Sequence, residues 1–155
     1  MSAKKVVGFI GLGDIGRPMA RRLLDGDFDV RVFDLVQAAV DELVEAGAIA
    51  SASVAELAGQ CQQIGICVRD DAQVQSLLYG DAGILDNATA GLLVTVHSTV
   101  TQANLLKWVG DAQAAGVRLI DAPITGGAAR AADGTLCYMV GGTAEDVAEV
   151  TPVFA

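Results

Sequence analysis

Three glycines constrain this chain more than anything else in it. Gly11-Leu12-Gly13-Asp14-Ile15-Gly16 follows directly on an apolar run, Lys4 to Ile10, and leads into a segment whose apolar positions Ile15, Met19 and Leu23 fall four apart. The run reads as a strand and the spacing as a helix, so the glycines stand at a strand-to-helix turn. In that place the first glycine permits the tight turn, the second lets a pyrophosphate approach the main chain, and the third lets helix pack closely on strand. The helix N-terminus behind them offers unpaired N–H groups to an anion. With a strand before it and a helix after it, the GxGxxG formed by Gly11, Leu12, Gly13, Asp14, Ile15 and Gly16 reads as a dinucleotide-binding turn.

The same two spacings alternate along the rest of the chain. Asp29 to Phe33 is a second short strand, after which Val36, Val40, Leu43 and Val44 return to helical spacing until Gly47 breaks it. Ser53-Val54-Ala55-Glu56 has the spacing of a capping box, in which hydroxyl and carboxylate satisfy helix-end N–H groups reciprocally. Gln63 to Val68 reads as a buried strand, Asp70 or Asp71 as the cap of a helix carrying Val74, Leu77 and Leu78, and Leu92 to Val96 as another strand. Thr101 to Ala115 is helical, with Leu105, Trp108 or Val109, and Ala112 on one face. Val117 to Asp121 and Thr135 to Val140 read as further strands, separated by a glycine- and alanine-rich loop. Parallel neighbours need crossover connections, and here the crossovers are helices. The expected fold is therefore α/β, a Rossmann-type doubly wound, mostly parallel sheet with helices on both faces. A length of 155 residues suits one such domain, 1–155, around one core.

Asp34 ends the second strand, about 20 residues beyond the glycines, where a carboxylate can accept hydrogen bonds from an adenosine ribose. A 2′-phosphate there would meet a like charge, and the next residue is Leu35 rather than an arginine, so the expected cofactor is NAD rather than NADP. Ten Lys and Arg against nineteen Asp and Glu leave a formal charge of −9, which repels a nucleic-acid backbone. Apolar runs such as Val6 to Leu12 and Gly91 to Val96 are far too short to span a bilayer, and no charged leader precedes a cleavable segment. Neither nucleic acid nor membrane is an expected partner. Cys61, Cys67 and Cys137 form no CxxC pair and leave an odd one over, so neither a disulfide framework nor a metal site is expected, and the setting reads as cytoplasmic.

Gly11 to Ala20, GLGDIGRPMA, resembles the opening GLGxMGxPMAxNL of the β-hydroxyacid dehydrogenases. Asp121-Ala122-Pro123-Ile124-Thr125-Gly126-Gly127, followed by Gly134-Thr135-Leu136 and Met139-Val140-Gly141-Gly142, is similar to that family's DAPVSGG…GxLxxMVGG segment. The resemblance runs over essentially the whole chain and is closest to the 3-hydroxyisobutyrate branch. Ile15 replaces the usual methionine, Arg22 the usual asparagine and Thr125 the commoner serine. The resemblance implies an oxidoreductase that transfers a hydride between a short 3-hydroxy acid and NAD. It also implies cofactor contacts at Val68 and Arg69, in the place of the family's Leu-Pro, at Gln73, and at Thr99 of the Ser98-Thr99 pair. A small-molecule hydroxy-acid substrate would be held by the Thr125 hydroxyl and the N–H groups of Gly126 and Gly127.

The family's proton-transfer residue is a lysine of a second, all-helical domain, and none of Lys4, Lys5 and Lys107 stands in a segment like it. The chain is expected to be the family's NAD(P)-binding domain, with the C-terminal all-α domain absent from it, and so to bind cofactor without a catalytic residue of its own. With that second domain the resemblance implies a homo-oligomer. The apolar ending, Val153-Phe154-Ala155, is expected to leave a bare patch where absent helices would pack. His97 is the sole histidine; at a strand end it reads as structural ahead of a base. The alternatives are an imine reductase or small aldehyde-acid reductase of the same fold, and a non-catalytic nucleotide-sensing or interaction module.

Overall fold

The computed structural model describes residues 2–154. Strands β1 (Lys5–Ile10), β2 (Phe28–Phe33), β3 (Ile49–Ala50), β4 (Gln63–Ile66), β5 (Leu93–Val96) and β6 (Arg118–Asp121) form a parallel sheet in the order β3-β2-β1-β4-β5-β6. The winding reverses between β1 and β4, and every strand leaves the sheet at the same carboxyl edge. In an open α/β sheet that edge, at the reversal, is where ligands bind.

Alternation within the strands divides the core between the two faces. On one face Ile10, Ile64, Ile66, Val94 and Val96 pack against α3 (Val54–Gln60), α4 (Asp71–Leu78), the short α5 (Ile84–Asn87) and α6 (Gln102–Ala114). On the other, Val7, Phe9, Val30 and Val32 pack against α1 (Gly16–Leu23) and α2 (Gln37–Glu45). α1 forms because Gly16, Met19, Ala20 and Leu23 make one buried stripe, Pro18 sits in the first turn where its missing N–H costs nothing, and Arg21 and Arg22 meet the negative end of the helix dipole. α3 has the reciprocal cap its sequence announced: Ser53 Oγ accepts from Glu56 N–H at 3.0 Å, and Glu56 Oε2 from Ala52 N–H at 2.7 Å. Asp70, not Asp71, caps α4.

Three segments differ from the sequence expectation. The glycine- and alanine-rich stretch is not a loop: it holds helix α7 (Gly127–Asp133), ended by Gly134 in the left-handed conformation, φ 71°. Alanine is the strongest helix former and Gly134 a favoured C-cap, which is why a short helix closes there. Thr135 to Val140 does not join the parallel ladder. Its β8 (Cys137–Tyr138) runs antiparallel to β7 (Ile124–Thr125), and the pairing continues through Met139 N–H to Pro123 O and an Asp121–Gly141 bridge, adding a reversed strand beside β6. Of the apolar ending, Ala155 lies outside the described residues, and Val153 and Phe154 are not bare: α8 (Ala144–Phe154) buries Val150 and half-buries these two, and Arg118 clamps the helix to β6 through Asp146 at 2.9 Å and Glu149 at 2.6 Å. Among the described residues no helix is long and apolar enough to cross a membrane.

Candidate functional site

The three glycines of the first turn are glycines for different reasons. Gly11 has φ 95°, and a Cβ there would lie 2.1 Å from the Cys67 carbonyl oxygen. At Gly16 a Cβ would lie 1.8 Å from the Gly11 carbonyl oxygen. Both are demanded by the chain itself. Gly13 is not: its φ is outside the left-handed region, and a Cβ would meet nothing within 4 Å. The space beside it is open at the reversal of the sheet, as the approach of a pyrophosphate requires. Among the described residues the N–H groups of Gly13, Asp14, Ile15 and Gly16 have no hydrogen-bond acceptor, so four main-chain donors are left unused at this turn. Leu12 is different, because its N–H is already taken by Asp34 Oδ2 at 2.7 Å.

Asp34 leaves β2 at the carboxyl edge and spends its second oxygen on the Val36 N–H, also at 2.7 Å. It does not cap α2, whose N-cap is Val36. The carboxylate therefore braces the glycine turn against the β2–α2 corner, and each oxygen keeps lone-pair capacity beyond these two bonds. Leu35 beside it is 92% exposed.

The other expected contacts come from the loops after β4, β5 and β6, on the same edge. Val68 donates its N–H to Ser98 Oγ at 3.0 Å. Arg69 is exposed, its side chain beside Asp70 at 3.6 Å, and its N–H donates to Gln73 Oε1 at 2.8 Å, so the Gln73 carbonyl is used in shaping the loop and its amide nitrogen is what remains for a ligand. Thr99 is exposed just past β5. Thr125 ends β7, and Gly126 and Gly127 follow with φ 135° and 73°, a conformation that keeps side chains out and leaves the main chain bare. The stem of Arg130 lies over Gly126, where a Cβ would come within 2.7 Å of Cδ.

Residues 6–155 match the model of the NAD-binding domain of 6-phosphogluconate dehydrogenase. The chain belongs to this family. Of curated relatives, the NAD-dependent L-serine dehydrogenase of Pseudomonas aeruginosa is 40% identical over 150 residues, covering 97% of this chain and 50% of the relative. The 3-hydroxyisobutyrate dehydrogenase of the same organism is 37% identical over 147 residues, 95% of this chain and 49% of the relative. The solved 3-hydroxyisobutyrate dehydrogenase of Salmonella typhimurium superposes with a TM-score of 0.91 at 32% identity, over 97% of this chain and 52% of that one. The chain spans about half the length of the curated relatives it matches. It is an NAD-binding domain of this family, with the Rossmann-type fold its sequence announced.

Within this family member the three lysines lie away from the site. Lys4 and Lys5 open β1 at the amino edge, with Lys4 paired to Asp27 at 3.1 Å and Lys5 bonded to Gln63 at 2.9 Å, while Lys107 pairs with Asp111 on α6 at 2.9 Å. His97 is buried, and burial pushes its pKa down to about 4, so it is neutral at pH 7 and shielded from solvent. Sequence reasoning missed two tying residues. Ser98 joins the ends of β4 and β5, as above, and Asp71 accepts from the Thr101 N–H, the Thr101 hydroxyl and Asn104, holding α4 to the start of α6. Those hydrogen bonds hold the Asp71 carboxyl below the usual carboxylate range. Their partners lie some thirty positions away, beyond the reach of any local sequence pattern. Arg22, in the place of the family's asparagine, pairs with Asp25 at 3.1 Å and lays its guanidinium against Gly134 at the end of α7.

Proposed function

We propose that this chain is the cofactor half of an enzyme that oxidises a short 3-hydroxy acid. The observation that carries the reading is that five loops at one sheet edge bring together the open glycine turn, Asp34, the Val68-Arg69 loop with Gln73, Thr99, and the bare Thr125-Gly126-Gly127 loop. When bound, the nicotinamide supplies the acceptor for the hydride leaving the carbinol carbon. The N–H groups from Gly13 to Gly16 hold the pyrophosphate, Asp34 accepts from the ribose hydroxyls, and Thr99 borders the nicotinamide side. The Thr125 hydroxyl and the N–H groups of Gly126 and Gly127 hold the carboxylate of the acid, orienting the alcohol carbon toward the ring. The alcohol proton leaves to a lysine of the family's second, all-α domain, since Lys4, Lys5 and Lys107 are remote from this edge.

The acid loop favours a hydroxy acid over an imine, because an imine offers no anion for those donors to meet. The proposal includes a cytoplasmic setting, in keeping with three unbonded cysteines, and a homo-oligomer once both domains are joined.

Calorimetric titration of the chain with NADH and NADPH tests the cofactor assignment. Asp34 followed by Leu35 should make NADH bind at least several-fold tighter, since a 2′-phosphate meets a carboxylate with no cation to offset it. Equal or tighter binding of NADPH overturns the placement of the ribose at Asp34.

A further inference from the structure

His97 is the one histidine of the chain, and neither the phosphate turn nor the acid loop accounts for it. It lies just past the end of β5 and is 4% exposed. β5 and β6 are parallel with Val96 opposite Asp121, and the Ala122 N–H donates to Val96 O at 2.9 Å. One more step of a parallel ladder would bring the Ser98 N–H to the Ala122 carbonyl. Among the described residues no main-chain N–H reaches that carbonyl, and His97 Nδ1 stands 2.9 Å from it instead. A carbonyl oxygen only accepts, so Nδ1 carries the proton; Nε2 is then an acceptor and takes the Thr95 hydroxyl at 3.0 Å. The imidazole replaces the missing rung, and the Ala122 carbonyl sets its tautomer, while the Thr95 hydroxyl lies within reach of both Nε2 and the Ile64 carbonyl, the latter at 3.4 Å.

The surroundings hold the ring in place. A Cβ on Gly65 would come within 3.1 Å of Nε2, so the neighbouring strand leaves it room. Phe9 stacks on it with centroids 6.0 Å apart, and Tyr138 and Phe154 meet it edge-on at 5.7 and 5.5 Å. Released from the ladder, Ser98 turns its hydroxyl to the Val68 N–H. The ends of β4, β5 and β6 are thus tied by side chains where the sheet has stopped.

We propose that His97 is a positioning residue: its Nδ1–H bond to Ala122 fixes the Pro123-to-Gly127 loop at a set distance from Ser98-Thr99. The nicotinamide-side and acid-side walls then move as one piece. The inference rests on the function proposed above, which places the nicotinamide beside Thr99.

The test compares NADH with ADP-ribose, which lacks the nicotinamide, by calorimetry on the wild type, His97→Leu and His97→Asn. The wild type should bind NADH more tightly than ADP-ribose. Loss of one neutral hydrogen bond should weaken NADH about fivefold in His97→Leu while ADP-ribose stays within roughly twofold. His97→Asn, whose amide nitrogen can take the place of Nδ1, should keep the wild-type ratio. Parallel loss of both ligands in His97→Leu, an unchanged ratio in it, or equal failure of Leu and Asn overturns the positioning role and points to packing alone. A wild type that binds neither ligand overturns the cofactor reading and this inference with it; binding of both with an unmoved ratio overturns only the inference. If His97→Leu does not fold, long-range proton–nitrogen NMR on the wild type decides: protonated Nδ1 supports the rung, and protonated Nε2 excludes it.

Discussion

At the scale of single residues, Gly13 separates what the chain needs from what a ligand needs. Gly11 and Gly16 are required by a close carbonyl, whereas nothing in the protein requires Gly13 to lack a side chain. Gly13→Val should therefore fold with a melting temperature close to the parent's, and lose the rise in that temperature which saturating NADH gives the parent, because ligand stabilisation vanishes when affinity does. Thermal unfolding of both proteins with and without NADH checks this, and equal protection of the variant would reduce the fingerprint to an ordinary turn. The glycine pattern was legible as a strand-to-helix turn, and Gly16 is constrained by the nearby Gly11 carbonyl, but the Cys67 carbonyl that constrains Gly11 belongs to the end of another strand and no local pattern announces it. Asp34 was only half legible. Its place at the strand end could be read, but its brace to Leu12 spans 22 positions and exists only because β1 and β2 pair in one register.

At the scale of elements, long amphipathic helices and buried strands could be read from periodicity, while short pieces held by their context could not. β3 has two residues, both exposed, and β7 also has two, so neither carries a pattern. α7 was hidden by alanine, which favours a helix without marking a face. Its end is nevertheless specified in detail: Gly134 has φ 71°, and a Cβ there would lie 2.8 Å from the Arg22 guanidinium. Gly134→Ala should cost about 1–2 kcal/mol through strain and displacement of Arg22. Gly110, inside α6 with open space around its Cα, provides the contrast: Gly110→Ala should stabilise by about 0.5–1 kcal/mol. Urea denaturation of the two variants should move the midpoints in opposite directions; a shift of the same sign in both contradicts the account of Gly134.

At the scale of the whole molecule, folding is linked to pH through the one buried imidazole. His97 has a folded pKa of about 4 against an ordinary 6.5, so between those values the unfolded chain binds a proton that the folded chain refuses. The stabilisation is complete above pH 6.5 and is lost as pH falls through the window, by up to about 3 kcal/mol at its lower end. Asp71, Asp111 and Glu149, held below the carboxylate range mainly by hydrogen bonds, add to the loss at the acid end, while Asp121, raised by burial, acts against it. The melting temperature should fall between pH 6.5 and 5, where the carboxylates contribute little, and fall less in His97→Leu; an unchanged slope in that variant contradicts a neutral buried His97.

The antiparallel return of β8 sets Cys137 directly opposite Thr125. Its thiol is exposed, whereas Cys61 is buried and Cys67 half-buried, with pKa values pushed up to about 12 and 11 by burial. A maleimide dye added to the unaltered protein would accordingly attach at one address, across a single strand pair from the acid loop. The molecule comes with its own labelling handle: a fluorophore there would signal events at the substrate side, with no cysteine to engineer in and none to remove.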